Sequence, residues 1–224
     1  NKKQYRGTAL VLKGTKAIDM THYFRLGIIS FLLCLSTTLF SQEKTRILFI
    51  FDASNSMNGY WEKERKIVTA TRLLSESLES LEGVKNLELG LRVYGHQTKH
   101  VPGHQDCEDT ELVVDIGPGR NLIIKKELSR ITPKGTTPIA RSLELGAKDF
   151  DDEANCRNII ILITDGIEAC DGDPCAISKA MKARGVVLKP FIIGIGIDEL
   201  YRSTFECVGN YYDASKEETF KNVL

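Results

Sequence analysis

Net charge is the first thing this chain does without: 30 Lys and Arg residues balance 30 Asp and Glu residues over 224 positions. Binding nucleic acid or another polyanion through a bulk field takes a basic surplus, so neither is implied as a partner. Internal repeats and low-complexity tracts are missing, which sets aside solenoids and biased tails. A clear membrane-spanning run is missing too, since a bilayer needs about 20 apolar residues and the stretch LGIISFLLCLSTTLF at 26–40 falls short of that. No Gly-x-Ser-x-Gly elbow surrounds Ser54 or Ser56, and Ser54 stands where an aspartyl-phosphate phosphatase would carry a second Asp after Asp52. The hydrolase nucleophiles and the aspartyl-phosphate route thereby lose their motifs. What is there is ordinary for a globular protein, with 42% hydrophobic and 27% charged residues, in a chain long enough for one domain with a full core.

The apolar stretch at 26–40 follows Arg25 and precedes the polar run Ser41-Gln42-Glu43-Lys44. A basic start, a short apolar middle and small or polar residues at the end read as a secretory signal peptide. Met20 serves as its start, with cleavage after Ser36 or Ser41, and residues 1–19 lie upstream of it. Leu33 before Cys34 argues against a lipoprotein cleavage box. An uncleaved anchor is the alternative, and its basic flank would equally leave residues from 45 onward outside. Cysteine usage fits export. Of the six cysteines, Cys34 lies in the apolar stretch and Cys107, Cys156, Cys170, Cys175 and Cys207 lie beyond it. That odd number leaves at least one unpaired within the chain. The run Cys170-Asp171-Gly172-Asp173-Pro174-Cys175 reads as a tight turn and predicts a local disulfide between Cys170 and Cys175. A metal knuckle there lacks a second pair of matching spacing.

From Thr45 onward the chain alternates strand-like with helix-like segments. RILFIF at 46–51 and NIIILIT at 158–164 are continuous apolar runs, as in strands buried on both faces. Further strands are read at 87–94, 111–116, 186–195 and 211–212, with Pro190 implying an edge, a bulge or a break. Helices are read at 62–82, ended by Gly83, and at 119–130, 139–150 and 199–208. Another starts at Pro174 behind an Asp173 cap and stops at Gly185. A last helix-like segment begins at Lys216 and reaches Leu224, which reads as a domain cut before its end. The pattern predicts an α/β fold: a doubly wound, mostly parallel six-stranded sheet flanked by helices. Such sheets bind ligands at the carboxyl ends of their strands.

Three segments at those ends carry hard oxygen donors. They are Asp52-Ala53-Ser54-Asn55-Ser56, the loop Gly135-Thr136-Thr137-Pro138, and Thr164-Asp165-Gly166. Asp52, Ser54 and Ser56 alternate along a turn, so their oxygens can converge. Carboxylates and hydroxyls suit Mg²⁺, Mn²⁺ or Ca²⁺. Any one segment alone would be a helix cap or a turn, but the three together, in order, resemble the von Willebrand factor A domain and its metal-ion-dependent adhesion site. The resemblance covers about Thr45 to the end, dividing the chain into residues 1–41 and a domain at 42–224. It implies Asp52, Ser54, Ser56, Thr137 and Asp165 as the metal set, with Thr136 the adjacent alternative for Thr137. Tyr94-Gly95-His96, the run 107–111 and the run 168–175 are similar to those of exported bacterial members. The implied function is metal-dependent binding of a protein partner's Asp or Glu, without catalysis and without nucleic acid.

Two other readings stand beside this one. A cytoplasmic von Willebrand A subunit of an ATP-driven remodelling or chelatase machine would share the metal motif, though not the signal-like segment or the cysteines. His96, His100, His104 and Cys107 share one polar loop and include zinc-ligand types; the bland alternative is a solvated loop in which His96 lines the binding surface.

Overall fold

Alternate residues of the apolar runs bury on opposite faces, and that period places two helix layers around one sheet. The structure is a computed structural model describing residues 43–61, 63–153, 155–192, 207–208 and 212–213. The expected signal segment, residues 199–206 of the expected helix at 199–208 and the segment from 216 lie outside the described residues, as do 193–195 of the expected fifth long strand. The strands are β1 (Lys44–Asp52), β2 (Tyr60–Trp61), β3 (Glu64–Arg65), β4 (Leu87–Tyr94), β5 (Thr110–Gly117), β6 (Cys156–Thr164), β7 (Val186–Ile192) and β8 (Tyr212–Asp213). The helices are α1 (Lys66–Ser80), α2 (Asn121–Leu128), α3 (Ile139–Lys148) and α4 (Pro174–Ala183), with a 3-10 turn at Asn55–Asn58.

Six strands form one sheet in the order β5-β4-β1-β6-β7-β8, parallel except for β5, which runs antiparallel to β4. Phe49, Phe51, Ile161 and Ile163 pack with Ala70, Leu73, Leu74 and Leu78 of α1 on one face. Leu48, Ile50, Ile160 and Leu162 pack with Ile139 and Leu143 of α3 and Met181 of α4 on the other. Each such enclosed side chain contributes about 1.5–3 kcal/mol of transfer free energy. Among the described residues no helix is long and apolar enough to cross a membrane.

One local expectation is corrected and another is narrowed. The first helix begins at Lys66, not at 62, because Tyr60–Trp61 and Glu64–Arg65 form a short antiparallel hairpin ahead of it. Trp61 is buried there, 5% exposed, so the chain is held extended until that ring is seated. Pro190 makes neither bulge nor break: it lies opposite Leu162 in an unbroken parallel ladder. It is tolerated because β8 pairs only with Phe191 and Ile192, so Pro190 occupies a local edge on that side among the described residues.

From β1 the chain moves outward to β4 and β5, then returns to build β6, β7 and β8 on the other side. The order therefore reverses between β1 and β6, the place where a crevice opens above parallel strands. Register puts Asp52 beside Tyr94 of β4, while Phe51 pairs with Ile163 of β6, so the residues that follow both strands emerge together.

Candidate metal centre

Three loops are tied together above that switch point by backbone hydrogen bonds. Asn55 N donates to Gly135 O at 2.9 Å, Lys134 N to Ala53 O at 3.0 Å, and Gly135 N to Gly95 O at 2.7 Å. Gly95 is required there on two counts. Its φ is +69°, and a Cβ would lie 2.6 Å from Thr136 O and 2.8 Å from the Ser54 backbone. The remaining loop is anchored by Glu168, whose carboxylate accepts from Ala140 N at 2.6 Å and Cys170 N at 2.8 Å. Pro138, the residue in the cap position of α3, makes no side-chain cap bond, so Glu168 supplies that cap from a distant segment.

Within this frame the polar side chains form two connected sets. Tyr94 Oη donates to Thr164 Oγ1 at 3.0 Å, and Thr164 Oγ1 donates to Asp52 Oδ2 at 2.7 Å. Asp52 Oδ1 accepts from Ser54 N at 2.7 Å, which bends the chain back after β1. The second set runs from Ser54 Oγ to Ser56 Oγ at 2.9 Å, and from Ser56 Oγ to Asp165 Oδ1 at 2.6 Å. Asp165 Oδ2 accepts from Lys66 Nζ at 2.7 Å. Thr137 Oγ1 and Ser56 Oγ lie 3.9 and 4.0 Å from the point where Gly166 would carry a Cβ.

Asp52 and Ser54 are fully enclosed, whereas Ser56 is exposed, so the site is sealed below and open above. Burial, then repulsion from Asp165, pushes the Asp52 carboxyl up to about 6, against the lowering hydrogen bonds of Ser54 and Thr164. Burial, and then the Asp52 charge, drives the Tyr94 hydroxyl well above its usual range. Burial is the larger of the two causes, and the Asp165 charge adds to it. Two carboxylates and several hydroxyls, with no thiolate or imidazole among them, are the donors of a hard divalent cation, so the residues present fit the ion that the sequence implies.

Four of the five expected residues, Asp52, Ser54, Ser56 and Asp165, are linked by hydrogen bonds, and Thr137 Oγ1, like Ser56 Oγ, lies about 4 Å from the Cβ position of Gly166. Sequence reading missed Lys66, Thr164 and Glu168. Thr164 had a signal, being the strand residue beside Asp165. Lys66 had none, because it closes the charged run Glu62-Lys63-Glu64-Arg65 and looks like a solvated surface.

The expected Cys170–Cys175 disulfide is overturned. Cys107 is bonded to Cys170, and Cys175 to Cys207, with Cα–Cα distances of 5.7 and 5.4 Å. Asp173 caps α4 by accepting from Cys175 N and Ala176 N, which commits Cys175 to the first turn of a helix. Cys170 N is meanwhile held by Glu168, on the loop beside 95–110. The two cysteines therefore belong to different anchoring systems. Among the described residues Cys156 is the free cysteine. The Cys107–Cys170 bond also takes the only thiol out of the histidine loop. His96 there lies 3.8 Å from Asp109 and 3.4 Å from Glu111, and among the described residues no group of three or more His, Cys, Asp or Glu is placed to hold a metal.

The family model of the von Willebrand factor type A domain matches residues 47–219. The chain is 32% identical over 207 residues to the uncharacterized protein YwmD of Bacillus subtilis, covering 87% of this chain and 92% of that one. An aerotolerance-related membrane protein from Bacteroides fragilis shares the fold, with a TM-score of 0.61 at 20% identity, over 79% of this chain and 94% of that one. Proximal thread matrix protein 1 from the mussel byssus, in a form with a zinc-occupied MIDAS motif, matches with a TM-score of 0.60 at 16% identity, over 81% of this chain and 46% of that one.

Proposed function

The chain belongs to the von Willebrand factor type A family, and from that premise we propose that it is a non-catalytic binding domain of an exported protein, holding a divalent cation at the strand ends and gripping a protein partner's Asp or Glu through it. The observation that carries this is the contact chain from Ser54 through Ser56 to Asp165, which joins two segments 109 residues apart directly above the buried Asp52. Two carboxylates just balance the two charges of Mg²⁺ or Mn²⁺, and hydroxyls add none. An incoming carboxylate therefore meets an ion that is still electrophilic. The zinc-occupied motif of the mussel protein supports the holding of a divalent cation on this fold.

Binding is favoured over turnover because Ser56 donates to a carboxylate already committed to Lys66, which is not the arrangement of an activated nucleophile. Export is supported by the signal-like stretch at 26–40 and by two disulfides, which persist in oxidising compartments. The same disulfides count against a cytoplasmic remodelling subunit.

The test is a titration with MgCl₂ or MnCl₂ followed by thermal unfolding, for wild type and Asp165→Ala. A ligand bound only to the native state adds about 2.7 kcal/mol at a hundredfold excess over its Kd. Wild type should therefore rise in Tm and Asp165→Ala should not. Equal shifts in both, or none in either at millimolar metal, would remove the metal site.

A further inference from the structure

A lysine occupies the place where a second positive charge is least expected. Lys66 is the first residue of α1, at the positive end of the helix, where a cation is disfavoured. Arg65 before it provides no side-chain cap. The backbone is fixed by the bond from Lys66 N to Gly59 O at 2.8 Å, and the side chain then runs past Gly59, whose missing Cβ would lie 3.8 Å from Lys66 Cε. The ammonium ends 2.7 Å from Asp165 Oδ2, with the Asp165 side chain fully enclosed and that of Lys66 18% exposed. Among the described residues it is the cation that touches the metal set.

We propose that Lys66 is a built-in counter-ion that competes with the divalent cation for Asp165, lowering the site's affinity for metal and keeping the metal-free site neutralised. This rests on the reading above that the site holds a cation. Asp165 Oδ1 already accepts from Ser56, so Oδ2 is the oxygen contested by ammonium and metal. Their mutual repulsion grows with the product of the charges and is weakly screened in an enclosed site. Metal entry therefore requires the ammonium to move outward, and its partial exposure provides the way out. The device ties occupancy to metal concentration: at low metal the lysine holds the loop after β6 in place, and at high metal the ion does so.

Isothermal titration of MnCl₂ into the full chain, alongside denaturant unfolding in EDTA, separates the possibilities. Lys66→Met should bind Mn²⁺ at least tenfold more tightly than wild type, and Lys66→Arg should stay within a few-fold of wild type. In EDTA the order of stability should reverse, with Lys66→Met below wild type because Asp165 is left enclosed with Ser56 alone. Binding detected in Lys66→Met but not in wild type also supports the competition. Equal or weaker binding by Lys66→Met overturns it while leaving the metal site standing. Failure of every protein to bind overturns the metal reading and this inference with it. Should Lys66→Met not fold, Lys66→Gln keeps a polar end without the charge and is held to the same order of affinities.

Discussion

Asp52 is wholly enclosed, and its ordinary value of 3.8 is raised to about 6 in the folded chain. Between those two values the native state holds more protons than the unfolded state does. Without metal, stability is therefore full below about pH 4 and falls as pH rises through 6. At full amplitude the displacement corresponds to roughly 3 kcal/mol. Exposed Asp151, Glu144 and Glu153 are lowered by their Arg46, Lys148 and Lys44 partners and act in the opposite sense. The measurement is therefore the difference between wild type and Asp52→Asn, by urea unfolding in EDTA from pH 4 to 7. Wild type should lose ground to the variant as pH rises, and a flat difference would count against Asp52 as the titrating group. Saturating Mg²⁺ should reduce the loss, since a cation stabilises the charged carboxylate.

Elements that look separate in sequence are joined at their ends by single residues. Glu168, on the loop after β6, caps α3 through Ala140 N and also holds Cys170 N. Its removal orphans two amides, and losing a cap costs about 0.5–2 kcal/mol. Glu168→Ala should fall in that range by chemical denaturation, and Glu168→Gln, which keeps an acceptor oxygen, should recover part of it. Gly95, at the end of β4, is more demanding because its neighbours are backbone. A Cβ at 2.6 Å from Thr136 O and 2.8 Å from Ser54 cannot be accommodated by turning a side chain. Gly95→Ala should cost at least the 1–3 kcal/mol of a strained backbone position, with a clear drop in Tm and weakened metal binding. Full metal affinity in that variant would show that the loop junction does not set the site.

Across the whole molecule, the disulfides join loops that only the fold brings together. Cys107–Cys170 closes 63 residues and Cys175–Cys207 closes 32, for which chain entropy gives roughly 4 kcal/mol each. Unreduced peptide mapping should find those two links and leave Cys156, among the described cysteines, as the thiol that alkylates. Breaking the first with Cys107→Ser and Cys170→Ser together should lower stability by about 2–5 kcal/mol, and a Cys170–Cys175 peptide would refute the pairing. The elements themselves were legible because β1 and β6 are dense β-branched and aromatic runs, and because Asp173, Pro174, Gly83 and Gly185 mark helix ends by local backbone chemistry. Asp52, Ser54, Ser56, Thr137 and Asp165 could be picked out as candidates because a motif's residue types survive as letters. Partners across space are not written that way. Lys66 finds Asp165, Glu168 finds the start of α3, and Cys107 finds Cys170 only once the sheet order has placed their loops side by side. Spacing along a chain fixes what a segment can form on its own, and packing decides which charge or thiol it then meets.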